Sequence, residues 1–316
     1  MIRRTGLAVI ALAVGALSMA VAAPAHAAPK EGKKCKKAGI VVHVGNIDLR
    51  CTKNGKYLVW AKVMGGSGSS GGQQASDSGM GIATNASIPK TIQNWGLDLA
   101  PYDASTGKAG VMQLAGVQPP TFPNPADTDA YSRIVGLYGA SVLGILEPQM
   151  AFIAPLGTPV IAMSDGTVCD MPVLYSNDYS IRVAPKGFAC SSGAASVLFE
   201  HEHVLNPLVK VGDTVKAGQQ IATVSDYNGN WKSKGMGMVE TGVFFMKNDN
   251  SGKPWHACLA NYLDPSKSAS LKATLTSIEN GWMSVRGDTN LYSLGAQNPV
   301  GCLTQDDITD SNSGVK

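Results

Sequence analysis

Between residues 148 and 266 the sequence is cut into short apolar runs by turn residues, and this spacing restricts the possible folds more than any other feature. The runs "TPVIAM", "GTVCDMPVLY", "YSIRVAP", "ASVLFEHEHV", "QQIATV" and "MVETGVFF" follow one another with Gly, Asp or Asn between them. Their lengths suit strands, and no apolar stripe of period 3.6 runs through them. Frequent short strands with turns between them predict a mainly β unit, an antiparallel sandwich or a partly open barrel. The 36 glycines and the low aromatic content of 6% fit many turns better than a helical bundle.

The rest of the 316 residues divides around this unit. Residues 1–27 read as a secretion leader. "MIRRTG" is basic, "LAVIALAVGALSMAVAA" is apolar, and "AHA" at 25–27 fits a cleavage site. Residues 28–64 form a small basic N-terminal unit, with Asn54-Gly55 as a hairpin signal. "GGSGSSGGQQASDSG", 65–79, has the composition of a flexible linker. Residues 80–146 carry no legible pattern, although Trp95 and Tyr102 suit core anchors. The β domain spans 147–266, and 267–316 is a C-terminal extension predicted to hold a short helix at "SLKATLTSIENG" and then a strand pair.

Composition excludes some partners. Lys+Arg number 26 against 23 Asp+Glu, and Arg3 and Arg4 lie in the leader, so the remainder is near neutral and makes no case for nucleic acid. The run "IVGLYGASVLGIL", 134–146, falls short of the about 20 residues a bilayer span needs, so it predicts a buried element and no membrane span after the leader. The six cysteines are even in number and follow an export signal, which predicts disulfides. Neighbour pairing (Cys35–Cys51, Cys169–Cys190, Cys258–Cys302) is preferred because each bridge then closes one local unit.

His201 and His203 sit two apart in a strand-like run. Strict alternation would send both imidazoles to one face, a plausible start for a zinc site.

Two segments, "IAPLGTPVIAMSDGTV" at 153–168 and "HVLNPLVKVGDTVKAGQQIATV" at 203–224, resemble the lysostaphin-type zinc endopeptidases of bacterial cell walls, with their duplicated hybrid motif fold. The resemblance covers residues 147–266 and implies a catalytic histidine at His203. It implies zinc ligands at Glu147, Ala151 and Met238, with Met236 in place of the other histidine of the His-x-His pair and Glu240 matching the glutamate that follows. Alanine cannot ligate, and a thioether suits Cu(I) better than Zn(II). A catalytic zinc needs three protein ligands and an open position.

The expected protein is therefore secreted and non-catalytic, takes no cofactor, and binds cell-wall peptide or regulates a partner hydrolase. Glu147, Ala151, His201, Met236, Met238 and Glu240 line its groove beside His203. The alternatives are an active zinc endopeptidase of peptidoglycan using His201, His203 and Glu240 or Glu147, or a copper site of Met236, Met238 and His203. The later segment alone also resembles biotinyl/lipoyl hammerhead domains, but the modified Met-Lys-Met hairpin of that family is missing.

Overall fold

In a computed structural model, the residues described are 30, 33–36, 41–44, 47–54, 57–62, 88–121, 132–142, 145–190, 197–246 and 254–309. The leader and the 65–79 linker lie outside them. The chain divides into a unit ending at Asp77 and one beginning at Ser78.

The first unit is an antiparallel meander of β1 (Val41–Val44), β2 (Ile47–Asn54) and β3 (Tyr57–Lys62). β2 and β3 pair from Leu49↔Lys62 to Asn54↔Tyr57, the hairpin announced by Asn54-Gly55. The Cys35–Cys51 disulfide ties its leading segment to β2.

The second unit is built on an antiparallel sheet of eleven strands. Two short hairpins stand apart from it, β4 (Lys108–Ala109) with β5 (Met112–Gln113), and β7 (Ser141–Val142) with β8 (Ile145–Leu146). The sheet holds β6 (Val135–Gly136), β9 (Met150–Pro155), β10 (Pro159–Ile161), β11 (Gly166–Asp170), β12 (Tyr179–Pro185) and β13 (Val197–Leu205). It continues with β14 (Thr214–Val215), β15 (Gln220–Val224), β16 (Met236–Met246), β17 (Pro254–Ala257) and β18 (Ile308–Thr309). The main path runs β14-β11-β12-β13-β16-β17-β18, with β9 also paired to β16 and β15 paired to both β10 and β13. The mainly β class is thus as expected, without a closed barrel.

Turn chemistry sets the connections. Gly212 and Gly218 adopt φ of +95° and +82°, a region glycine enters without steric cost. Asp165, in the "SDG" turn, accepts from Ala217 N at 3.0 Å and from Lys216 Nζ at 2.9 Å, so one turn holds the next.

Alternation along β13 and β16 separates the two faces of the sheet. Val197, Phe199, Val239, Val243 and Phe245 point into the main core, where Trp95 is fully buried. Leu198 and Phe244 point the other way, into a smaller cluster with Cys169 and Ala184 beneath the Cys169–Cys190 disulfide. Cys258–Cys302 is the third bridge, so all three pairs join nearest neighbours. The 134–146 run is buried only in its first half. Ile134, Val135, Leu137 and Tyr138 are core residues, whereas Ile145 and Leu146 are each 48% exposed on the β7–β8 hairpin.

The C-terminal extension departs from the expectation. A four-residue helix α1 (Gly229–Lys232) follows β15, and the extension itself begins with α2 (Pro265–Arg286), a 22-residue helix that reaches well beyond the expected segment. Its limits have local causes. Asp264 caps the start by accepting from Ser266 N at 2.8 Å, Pro265 supplies a pre-set first turn, and Gly287 closes the end with φ +66°. Leu275, Ile278 and Trp282 enter the core, and Trp282 Nε1 donates to Ser132 O at 3.0 Å. After α2 only the two-residue β18 is extended among the described residues, because it adds to the edge at β17 and no strand pair forms.

Glu279 is the one carboxylate that α2 buries completely. Its Oε2 accepts from Gln297 Nε2 at 2.9 Å, and Oε1 has no hydrogen-bond partner. Burial pushes this carboxyl up to about 7, against the opposing pull of the Gln297 bond. The folded value lies above the ordinary 4.5, so the fold favours the protonated form. Stability therefore falls as pH rises from about 4.5 to about 7 and stays reduced by about 3 kcal/mol above that. Glu279→Gln is expected to gain about 3 kcal/mol over the parent at pH 8 and almost nothing at pH 4. Urea unfolding at the two pH values checks this, and an equal gain at both would contradict it.

Candidate functional site

The site grows from an extra residue in β13. Along β12, Ile181 pairs with His201 and Tyr179 with Val204, so two steps on one strand face three on the other. This is a β-bulge. His203 carries it with φ +57°, rare for a residue with a side chain. The bulge overturns the expectation that both histidines share a face. His201 pairs with Thr241, and both side chains pack near Gly96 on the core side. Burial pushes the His201 imidazole down to about 4, and its Nε2 has no partner. His203 is turned to the opposite face, where its Nε2 stands 3.9 Å from Glu240 Oε2. His201 therefore neither lines a groove with His203 nor joins it and Glu240 around a metal.

Three strands bring the acid-lined face into register. Glu240 on β16 lies opposite Glu202 on β13 and opposite Ala151 on β9. His203 is buried and held from two sides. Its Nδ1 lies 2.9 Å from Asp178 Oδ2, and its ring stacks on Tyr227 with centroids 3.5 Å apart and an interplanar angle of 14°. Tyr175 meets it edge-on at 6.0 Å and is 53% exposed, so it forms an outer wall. Burial works to raise the Asp178 carboxyl, but hydrogen bonds from His203, Ser176 and Ser225 outweigh it and hold the group below the usual carboxylate range. Asp178 thus stays ionised and accepts from His203 Nδ1, which fixes the orientation of the ring.

Tyr227 reports what surrounds it. Burial first, then the charges of Glu240, Glu147 and Glu202 together with Tyr175, push its phenol well above 10. It stays protonated, and its hydroxyl donates to Glu240 Oε1 at 3.4 Å. The charges of Glu147, Glu202 and Glu240 all act on this phenol, and Glu240 touches it directly.

Deeper in the same face lies a second polar cluster. Glu200 Oε1 accepts from Arg182 Nε and Ser180 Oγ, both at 2.7 Å, and Oε2 pairs with Gln149 Nε2 and His256 Nε2, both at 2.9 Å. Burial would raise this carboxyl, yet Arg182 and His256 hold it far below the usual range. Gln149 also donates to Glu202 Oε2 at 2.7 Å, which joins the cluster to the acids around Tyr227.

The positions that the resemblance assigns to zinc do not suit it. Ala151 offers only a methyl, and Met236 and Met238 are 4% and 8% exposed and pack into the core. Among the described residues, no three His, Cys, Asp or Glu side chains converge in a way that could hold a metal ion. No described helix is long and apolar enough to cross a membrane. Sequence reading passed over Asp178, Tyr175 and Tyr227. The first two stand in "YSNDYS", which reads only as a turn, and Tyr227 follows β15 in a loop.

No protein-family model matches the chain, and no curated protein matches it. Among solved structures, the chain is similar to the catalytic domain of the antimicrobial peptidase lysostaphin from Staphylococcus simulans, at 25% identity over 37% of this chain and 84% of that one, with a TM-score of 0.28. The lysostaphin chain in a second structure from the same organism is 22% identical over 42% of this chain, which spans only 49% of that one, with a TM-score of 0.31. LytU is likewise 22% identical, over 44% of this chain and 88% of its own, with a TM-score of 0.31.

Proposed function

We propose that this chain is a secreted, non-catalytic protein of lysostaphin-type architecture that binds cell-wall peptide, either for itself or to regulate a wall hydrolase. The observation that carries the reading is the chemistry of the register at Glu240. Where the resemblance calls for metal ligands, the strands present the methyl of Ala151 and the thioether of Met238. Zinc would supply a Lewis acid and an activated water for peptide hydrolysis, and this donor set does not retain it. The Asp178–His203 pair and the acid-lined face remain assembled, which supports a binding role.

Metal analysis and a wall assay test this together. After dialysis against trace zinc, the protein is expected to hold less than about a tenth of an equivalent, since three ligands are needed for a catalytic site. It is expected to co-sediment with purified peptidoglycan without releasing peptides. Near-stoichiometric zinc with peptide release would replace this reading with a working endopeptidase.

A further inference from the structure

We propose that the N-terminal strand unit binds a linear polyanion, a phosphodiester-linked polymer of the cell wall. The choice of a wall polymer rests on the reading above; the anion chemistry does not. The near neutrality of the chain conceals two opposed parts. From Lys30 to Lys62 stand nine Lys and Arg against two Asp and Glu, a formal charge of +7. Beyond Lys62 stand 15 Lys and Arg against 21 Asp and Glu, a formal charge of −6. Two carboxylates cannot neutralise nine cations, so the small unit needs solvent ions or a partner to balance it. Charge segregated in this way marks an electrostatic docking surface.

The fold holds these charges in place. Trp60 N donates to Lys33 O at 2.8 Å and Cys35 N donates to Leu58 O at 3.0 Å, so the leading segment runs along the edge of β3 that β2 leaves open. The Cys35–Cys51 disulfide pins it there, and Lys33 N donates to Lys30 O at 3.1 Å. Lys30, Lys33, Lys34 and Lys36 are all exposed. Lys34 Nζ lies 4.7 Å from the centroid of the exposed Tyr57 ring. Among its described residues the unit has no buried polar side chain to line a pocket for one small anion. A row of exposed point charges on a strand edge suits a repeated anion instead. Eight of the nine cations are lysine, which holds phosphate as a hydrated point charge without a bidentate fork, so the spacing of the anions can be loose. A membrane surface would also attract the charge, but surface binding is reinforced by a broad apolar face. Tyr57 is the one large hydrophobic side chain exposed among the described residues of this unit.

The test uses cell walls that carry a phosphodiester polymer and the same walls stripped of it with hydrofluoric acid. Affinity of the intact protein for each is measured by co-sedimentation. The untreated walls are expected to bind at least about ten times more tightly, and that advantage is expected to fall about tenfold between about 50 and 200 mM salt. The variant Lys30→Gln/Lys33→Gln/Lys34→Gln/Lys36→Gln is expected to lose most of it. The control variant Lys90→Gln/Lys108→Gln/Lys186→Gln/Lys267→Gln, which removes as many exposed cations elsewhere, is expected to keep it. Equal binding to both walls would overturn the polymer proposal and leave the peptide reading standing. Binding to untreated walls alone would support the polymer and count against the peptide reading. Equal losses in the two variants would overturn the proposal in favour of bulk charge. Tighter binding to vesicles of phosphatidylglycerol and phosphatidylcholine than to the untreated walls would overturn it in favour of a membrane surface.

Discussion

An Arg182→Met protein is expected to unfold at a much lower urea concentration than the parent, with a loss of about 3–5 kcal/mol. The guanidinium is 8% exposed and the Glu200 carboxylate 1% exposed, so neither end of the pair is screened by water. Removing one partner strands a buried charge. The three remaining donors to Glu200, from Ser180, Gln149 and His256, satisfy its lone pairs but do not replace the guanidinium. The double variant Arg182→Met/Glu200→Leu is therefore expected to regain most of the loss, since an apolar pair removes both desolvation costs at once. If the double variant is as unstable as the single one, the penalty comes from packing against Phe244, whose ring lies 4.7 Å from the guanidinium.

The second large effect is expected at Cys258–Cys302. This bridge closes a loop with a sequence separation of 44, the longest of the three. Cross-linking a loop of that length restricts the unfolded chain by about 4 kcal/mol. Both sulfurs are buried, and the bridge secures the segment in which Tyr138 N donates to Gly301 O at 3.0 Å and Leu303 N donates to Tyr138 O at 2.9 Å. Replacing both cysteines by serine is expected to lower Tm by on the order of 10 °C. A thermal melt that does not move would show that contacts around α2 alone hold the C-terminal segment.

Much of the fold was legible because its signals are local. Strand lengths, glycine turns and neighbouring cysteines act over a few residues, and the sheet follows them. The length of α2 could also have been read from Asp264-Pro265 at one end and Gly287 at the other, but its mixed surface weakened the periodic signal. The site was legible only in part. Glu240, Glu147 and His203 were named only through resemblance. Asp178 and Tyr227 come to His203 from turns 25 and 24 residues away in sequence, and no spacing rule connects them. His201 was misplaced because alternation assumes an uninterrupted ladder, and the bulge at His203 interrupts it.

That bulge has a consequence for anyone who would rebuild this surface. It changes the parity of the strand. Up to Glu202 the even-numbered side chains of β13 look toward the acids, yet Val204 lies back in the main core. Residues grafted onto this strand must be counted from opposite origins on the two sides of His203. Deleting either Glu202 or His203 would restore ordinary parity at the cost of one of the two side chains that the bulge places together on the acid side, so one extra backbone position sets the coding frame of the whole face.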